Sequence, residues 1–322
     1  MLDVVQAIQK HKSFLVAAHV NPEGDSLCSQ LGMQELLEGL GKQVTIVNHD
    51  EVPGHYTFLP RVETIRTQAP KDLSFDAVVI LDCPNLKRVG KVGALIPAGV
   101  PVINIDHHIS NENFGAHNWV DPEASSAGEM VYRLFKEMDV TITKEAALYL
   151  YIAILTDTGS FNYDNTSSVT HEIAGELLGY GLDPSAVSQD VFERRSVEDI
   201  RFLGMVLETL TVNASCEVGY LEITRKMLEE TGADMAKVEG VVNYARSVRS
   251  VKVAILFKED LRDPGLINVS FRSKAGVDVN KLAGHFGGGG HTKAAGCHLE
   301  GALIEIEKKV VAKAEELLRG RA

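Results

Sequence analysis

Four short segments of the sequence place carboxylates and imidazoles directly after apolar stretches. In chain order these residues are His19, Glu23 and Asp25, then Asp82, then Asp106, His107 and His108, and finally Asp157. Carboxylates and imidazoles bind divalent cations and transfer protons, so the set could support metal-dependent chemistry. A single aspartate after a strand is more often a turn former or a helix cap. The chemistry therefore depends on whether the four segments meet in the fold.

The first half of the chain alternates apolar strands with amphipathic helices, a pattern typical of parallel strands joined by helical crossovers. Strands are predicted at 13–18, 43–48, 76–81 and 101–105. Leucines recur at helical spacing over 25–40, and Gly41 stands where a helix C-cap belongs. Because ligands bind beyond the carboxyl ends of the strands in open parallel sheets, we expect the four segments at one edge of one sheet.

Such a cluster needs cations. Carboxylates and imidazoles packed together would repel and desolvate one another unless positive charge lay between them. Mixed oxygen and imidazole ligands suit manganese, magnesium, iron or zinc, and no thiolate pair suggests a structural zinc site. Two cations about 3.5–4 Å apart would activate water and stabilise both the attacking and the leaving oxygen at phosphorus. The residues thus favour a two-metal site for phosphoryl chemistry.

The second half of the chain predicts a linker and a smaller domain. Helical patterns occur over 124–138, 144–156 and 196–210, and the charged stretch 193–199 suggests an exposed linker. Strand patterns resume at 217–223, 250–257 and 266–271, followed by a glycine-rich loop and a final helix over 303–318. We therefore predict an α/β protein: a parallel-sheet catalytic, metal-binding domain at 1–188, a helical linker at 189–213 and a smaller α/β substrate-binding domain with a Gly-rich loop at 214–322.

The composition limits the kinds of molecule that the protein is expected to bind. A formal net charge of −12 argues against a protein that coats long DNA or RNA, but not against small anionic substrates. The apolar runs are too short to cross a bilayer, and the N-terminus lacks the layout of a secretory signal. We expect a cytoplasmic protein with no membrane partner, whose four scattered cysteines are reduced thiols.

The ordered motifs resemble those of the DHH phosphoesterase superfamily. Residues 106–108 read Asp-His-His, and the segments at His19, Asp82 and Asp157 stand in the matching order. Residues 287–296 are similar to the glycine-rich signature of the DHH-associated C-terminal domain. The three-residue match alone is weak. Five ordered motifs across nearly the whole chain are highly specific.

The resemblance implies a ligand set for two divalent ions, with manganese expected and magnesium as an alternative. One ion would be bound by His19, Glu23 and Asp82, and the other by Asp25, Asp82, His107 and Asp157. Asp82 would then bridge the two ions.

The resemblance also implies roles for the remaining motif residues. His108 would face the substrate phosphate as an electrostatic stabiliser or proton donor, and Asp106 would orient an imidazole. The family usually has Asp where this chain has Glu23, and Gly where it has Cys28. We therefore expect a looser first metal site, or a Glu23 that lies outside the ligand shell.

The most basic neighbourhood of this acidic chain lies around the glycine-rich loop. Glycines can expose backbone N–H groups to an anion, although a flexible turn would explain them equally well on their own. The predicted substrate-binding residues are Arg272, Ser273, Gly288, Gly289, Gly290 and His291.

The resemblance is strongest to the nano-RNases. It implies hydrolysis of short single-stranded RNA or DNA to mononucleotides, with 3′-phosphoadenosine 5′-phosphate as a further substrate. A soluble phosphodiesterase for cyclic dinucleotides or their linear products is the alternative, and a non-catalytic nucleotide sensor is a more remote one. The sequence leaves open whether the chain forms a homodimer.

Overall fold

The computed structural model describes residues 1–233, 240–274, 276–290 and 292–320. The chain divides into two compact units, Met1–Arg194 and Arg195–Ala322. Both are α/β, as predicted. No helix in the described residues is long and apolar enough to cross a membrane.

The sheet of the first unit is entirely parallel. Its strands are β1 (Ser13–Ala17), β2 (Gln43–Val47), β3 (Ile65–Arg66), β4 (Ala77–Leu81), β5 (Val102–Asp106) and β6 (His117–Val120). Their spatial order is β3-β2-β1-β4-β5-β6. The chain leaves β1 toward one side of the sheet and returns at β4 on the other, so the strand order reverses between β1 and β4. Ligand sites in such sheets form at this reversal.

Helices complete the first unit. They are α1 (Leu2–Lys10), α2 (Gly24–Gly39), α3 (Ala127–Glu137), α4 (Lys144–Asp157), α5 (Ser168–Leu178) and α6 (Pro184–Phe192). Side chains alternate along a strand, and both faces of this sheet are buried. Phe14, Val16 and Val79 join the core that contains α2, α3 and α4. Leu15 and Ile80 point into the opposite core, which the 3-10 stretch Leu86–Leu95 helps to cover.

The predicted strands and helices of the first unit agree with the observed ones to within a few residues. The largest difference is at α3, which begins at Ala127 rather than 124 because the Ser126 hydroxyl accepts a hydrogen bond from the Glu129 N–H and caps the helix. Strands β3 and β6 and helices α1, α5 and α6 were not predicted from the sequence. Trp119 lies in β6 and is 9% exposed, as expected of a core residue.

The second unit contains a mixed sheet. Its strands are β7 (Thr211–Val212), β8 (Val218–Ile223), β9 (Val253–Glu259), β10 (Leu266–Ser273), β11 (Gly289–Gly290) and β12 (Ala294–Glu300), in the order β11-β12-β10-β9-β8-β7. Within this sheet, β8 and β9 are the only parallel pair among the described strands, and the other pairs are antiparallel. The helices are α7 (Val197–Glu208), α8 (Arg225–Thr231), α9 (Val242–Ser247), α10 (Val279–His285) and α11 (Leu303–Arg319).

Helix α7 falls inside the predicted linker, but its apolar side chains are part of the second unit. Phe202 and Val206 are buried in one core with Leu221 and Ile223 of β8. The domain and linker bounds expected from the sequence remain predictions.

Candidate metal centre and active site

The predicted metal ligands of the first unit meet at the carboxyl edge of its sheet. His19 follows β1, Asp82 follows β4 and His107 follows β5. Asp25 lies in the first turn of α2, and Asp157 is the last residue of α4. Because the sheet is parallel and α4 packs against α2, these segments from distant parts of the sequence end side by side.

One group of ligand atoms surrounds His19. Its members, His19, Glu23 and Asp82, each offer an atom within 4.8 Å of the others. The His19 Nε2 lies 3.2 Å from Asp82 Oδ2 and 4.0 Å from Glu23 Oε1. The other ring nitrogen, Nδ1, is 2.7 Å from the Val20 carbonyl oxygen. If Nδ1 carries the proton and donates to this carbonyl, the Nε2 lone pair faces the carboxylates, as a metal ligand requires.

A second group surrounds His107. Asp25, His107 and Asp157 also offer atoms within 4.8 Å of one another. The His107 Nε2 lies 3.6 Å from Asp157 Oδ2, 4.0 Å from Asp25 Oδ2 and 3.5 Å from Asp82 Oδ1. Asp82 therefore turns one carboxylate oxygen toward His19 and the other toward His107. This is the orientation that a carboxylate shared by two cations needs.

The backbone at Asp82 is unusual. Its φ is +52°, in the left-handed region that residues other than glycine seldom adopt, and its side chain is buried. Such a conformation costs about 1–3 kcal/mol and persists where the surroundings enforce it, often at functional sites. Here the Asp82 N–H donates to the Ile105 carbonyl at 3.0 Å, which fixes the turn that aims the carboxylate.

Burial perturbs the titration of these groups. It raises the pKa of Asp25 well above its usual range and that of Asp157 to about 6, and neighbouring aspartates add to both effects. Burial also acts on Asp82, but hydrogen bonds from His107 and His19 outweigh it and hold the Asp82 pKa well below its usual range. Burial lowers the pKa of His107, but Asp157 and Asp82 outweigh burial. The His107 pKa therefore lies well above its usual range. A divalent cation among these groups would offset the negative charge that burial makes costly, so the donor set of carboxylate oxygens and imidazole nitrogens fits a metal centre.

Partners that the sequence analysis missed hold the carboxylates in place. The Asp25 oxygens accept hydrogen bonds from the N–H groups of Ala127 at 2.7 Å and Gly128 at 2.9 Å, at the start of α3. The Asn165 side chain donates to Asp157 Oδ2 at 3.3 Å. Nothing in the sequence indicates that the Asp25 carboxylate lies against Ala127 at the start of α3, 102 residues away.

The predicted catalytic pair, Asp106 and His108, is in direct contact. Asp106 is fully buried, and its Oδ1 lies 2.7 Å from His108 Nδ1. The Asn111 side chain donates to Asp106 Oδ2 at 2.6 Å and fixes the carboxylate from the other side. His108 Nδ1 is also 3.6 Å from Asp82 Oδ1, so this imidazole borders the metal ligands. The imidazole that Asp106 orients is that of His108.

Glu23 differs from the other predicted ligands in its exposure. Its side chain is 55% exposed, against 4% for His19 and 3% for Asp82. It occupies the N-cap position of α2, where its backbone N–H donates to Ser26 Oγ at 2.9 Å. The Glu23 side chain therefore borders the cluster but is largely exposed, and its role as a ligand stays a prediction.

The predicted substrate residues lie in the second unit, apart from His291, which is outside the described residues. Arg272 is in β10 and is partly buried. The Ser273 hydroxyl is buried and donates to the Val277 carbonyl at 2.6 Å, so it stabilises the turn after β10.

The glycine-rich loop is more ordered than a flexible turn. Gly289 and Gly290 form β11 and pair with β12. The Gly288 N–H donates to the Ala283 carbonyl at 2.9 Å, so in this conformation it is not free for an anion. A side chain at Gly288 would overlap Gly296 and Cys297. Close approach to β12 therefore explains this glycine in physical terms.

Comparisons with known proteins agree with these motifs. Residues 13–154 match the DHH family N-terminal domain, and residues 217–320 match the DHHA1 domain. The chain is 35% identical over 94% of its length, and 90% of the relative's, to the bifunctional oligoribonuclease and PAP phosphatase NrnA of Thermus thermophilus. A Bacillus subtilis protein of the same name is 26% identical over 92% of each chain.

Solved structures show the same fold. An exopolyphosphatase-related protein from Bacteroides fragilis superposes with a TM-score of 0.87 at 26% identity, over 99% of this chain and 96% of that one. RecJ of Thermus thermophilus, crystallised with Mn²⁺, matches with a TM-score of 0.56 at 14% identity, over 98% of this chain and 54% of that one.

The contact between Asp25 and α3 can be tested with glycine substitutions. A Cβ at Gly128 would overlap Ala153 of α4 and approach Asp25, so Gly128→Ala should displace the N–H groups that hold Asp25. We expect Mn²⁺ affinity, measured by calorimetry, to fall about 10- to 100-fold, as when outer partners of metal ligands are lost. Gly175→Ala is the control, because Gly175 is also helical and has no atom near its added Cβ. A folded Gly128→Ala protein with wild-type Mn²⁺ affinity would refute the role given to α3.

The role of Glu23 can be tested by a metal titration. Glu23→Ala should weaken the binding of one Mn²⁺ and leave the other unchanged, because the ligands around His107 do not include Glu23. Glu23→Asp should shift metal preference and change activity only modestly, since it keeps the carboxylate and shortens its reach by one methylene. If Glu23→Ala matches the wild type in both stoichiometry and affinity, Glu23 is not a ligand.

Proposed function

The chain belongs to the DHH phosphoesterase family, and on that premise we propose that it is a metal-dependent hydrolase that cuts short oligonucleotides to mononucleotides and dephosphorylates 3′-phosphoadenosine 5′-phosphate. Relatives that match more than nine-tenths of the chain are named for an oligoribonuclease and a PAP phosphatase activity. The observation that carries the proposal is the orientation of Asp82, whose two oxygens face two separate ligand groups. No observation favours cyclic dinucleotides as the substrates.

The metal centre follows from the donor set. We propose two divalent ions, with manganese as the first candidate: His19, Glu23 and Asp82 would hold one, and Asp25, Asp82, His107 and Asp157 the other. When bound, such ions activate water and stabilise negative charge on phosphoryl oxygens. The N–H groups of Ala127 and Gly128 keep Asp25 oriented toward His107. This fixed geometry reduces the reorganisation that the reaction requires.

His108 is the proposed proton donor to the leaving oxygen. Asp106 holds its Nδ1, which leaves Nε2 to reach the substrate. The buried Asp106 carboxylate fixes the orientation of the imidazole, and the Asn111 side chain donates to that carboxylate and keeps it from rotating. A general acid held in this way can transfer its proton without first reorienting.

The second unit would recognise the substrate. The proposed contacts are Arg272, Gly289, Gly290 and His291. Ser273 and Gly288, whose donors already bond within the unit, are proposed to shape the loops beside these contacts. Arg272 supplies a permanent positive charge, whereas Ser273 already donates to Val277 and would act by shaping the turn beside it. A cytoplasmic location remains a prediction, and whether the chain forms a homodimer stays open.

Substrate length is the property that separates this proposal from a processive exonuclease. A net charge of −12 offers little basic surface for a long strand. We expect kcat/KM to be highest for oligonucleotides of about two to five residues and to fall for longer strands, because few further phosphates can be neutralised. The measurement is mononucleotide release from end-labelled oligomers of graded length at fixed salt and Mn²⁺.

The variant Arg272→Ala tests whether the second unit binds the substrate. This variant should raise KM for dinucleotides far more than for a small artificial phosphodiester, because Arg272 positions the substrate without activating water.

Degradation of a strand of several tens of nucleotides as efficiently as a dinucleotide would contradict the proposal.

A further inference from the structure

Arg88 lies beside the metal ligands but belongs to none of the motifs discussed above. It follows Asp82 by six residues and lies in the 3-10 stretch Leu86–Leu95. Its backbone is tied at both ends: its N–H donates to Asn85 Oδ1 at 3.2 Å, and its carbonyl accepts from the Val20 N–H at 2.7 Å. Val20 directly follows His19. Arg88 is therefore anchored to both segments that supply the first group of ligands.

The segment after Arg88 is held rigidly. Gly90 has φ +63° and ψ −137°, which breaks the 3-10 stretch, and a Cβ at this position would overlap His49. The His49 ring nitrogen Nδ1 accepts from the Lys91 N–H at 2.9 Å. These contacts fix the path of the chain on the C-terminal side of Arg88.

The Arg88 guanidinium has no counter-ion within the part of the chain that the structure describes. Arg61, Arg133 and Arg194 in the same unit each pair with carboxylates. Arg88 is partly buried, and no hydrogen bond or ion pair of its side chain occurs among the described residues. An arginine near a cluster of carboxylates ordinarily pairs with one of them.

The Arg88 charge lies close enough to act electrostatically on His19 and on Cys83, which directly follows Asp82. His19 and Asp82 are both proposed ligands of the first ion.

We propose that Arg88 binds a non-bridging oxygen of the scissile phosphate. This inference rests on the proposed function and adds a contact to it. The ligand carboxylates would pair with cations, so the guanidinium would stay available for the anion that docks against them. Its planar fork and permanent charge suit a phosphate, and a charge fixed in advance stabilises the transition state without reorganisation. Its backbone anchors place Arg88 at the same edge of the sheet as His19 and Asp82.

The test compares the effect of Arg88 variants on phosphodiester hydrolysis with their effect on Mn²⁺ binding. Arg88→Ala should lower kcat/KM for bis(p-nitrophenyl) phosphate, which carries a single phosphate, by about 100-fold. It should weaken inhibition by inorganic phosphate without weakening Mn²⁺ binding, measured by calorimetry without substrate. Arg88→Lys should recover part of the activity, because it restores the charge but not the fork. Lys87→Ala is the control: Lys87 is an exposed cation in the same stretch, and its loss should have no effect.

Two results would overturn the inference. Either wild-type kcat/KM in Arg88→Ala, or a loss of Mn²⁺ affinity that parallels the loss of activity, would show that Arg88 does not contact the phosphate. A wild-type protein that hydrolyses neither this diester nor dinucleotides with Mn²⁺ would instead refute the proposed function itself.

Discussion

Asp25, Asp82 and Asp157 bring three carboxylates together where little water can reach them. Asp25 and Asp82 are almost completely buried, and the Asp157 side chain is 25% exposed. Unpaired negative charge in such a place is costly, and the neighbouring imidazoles compensate for it only in part. Burial raises the pKa of Asp25 and, to about 6, that of Asp157, and neighbouring carboxylates add to both rises. Cations bound among these carboxylates would offset that cost, so metal binding and the stability of this edge would be coupled.

The parallel sheet and its helices make this cluster possible. Strand ends β1, β4 and β5 deliver His19, Asp82 and His107 to one edge, on either side of the point where the strand order reverses. Helix α3 contributes differently. The first N–H groups of a helix lack partners within it and carry partial positive charge, and here they hold the Asp25 carboxylate. The site thus depends on backbone atoms as well as on ligand side chains.

Much of this arrangement could be predicted from the sequence. The ligand types stand at the ends of apolar runs, and parallel strands bring such ends together. The family resemblance implied the bridging role of Asp82, but the left-handed backbone that orients its carboxylate could not be predicted at a residue other than glycine. Asn111 and Asn165 were missed because an asparagine in a loop carries no signal of its partner. Strand β6 is short and carries polar residues around Trp119, so its pattern did not indicate a strand.

The glycine-rich loop shows a different limit. The sequence suggested free N–H groups, whereas Gly288 is used for close approach to β12 and its N–H is already bonded to α10. Glycine permits both uses, and only the surrounding atoms distinguish them. Composition alone therefore could not assign an anion site here.

The central claim is that Asp82 is shared by two cations. Crystals grown with Mn²⁺ and measured at the manganese absorption edge test it directly. The account predicts two anomalous peaks about 3.5–4 Å apart, one beside His19 and one beside His107, with Asp82 between them. A single peak, or two peaks of which only one contacts Asp82, would contradict it.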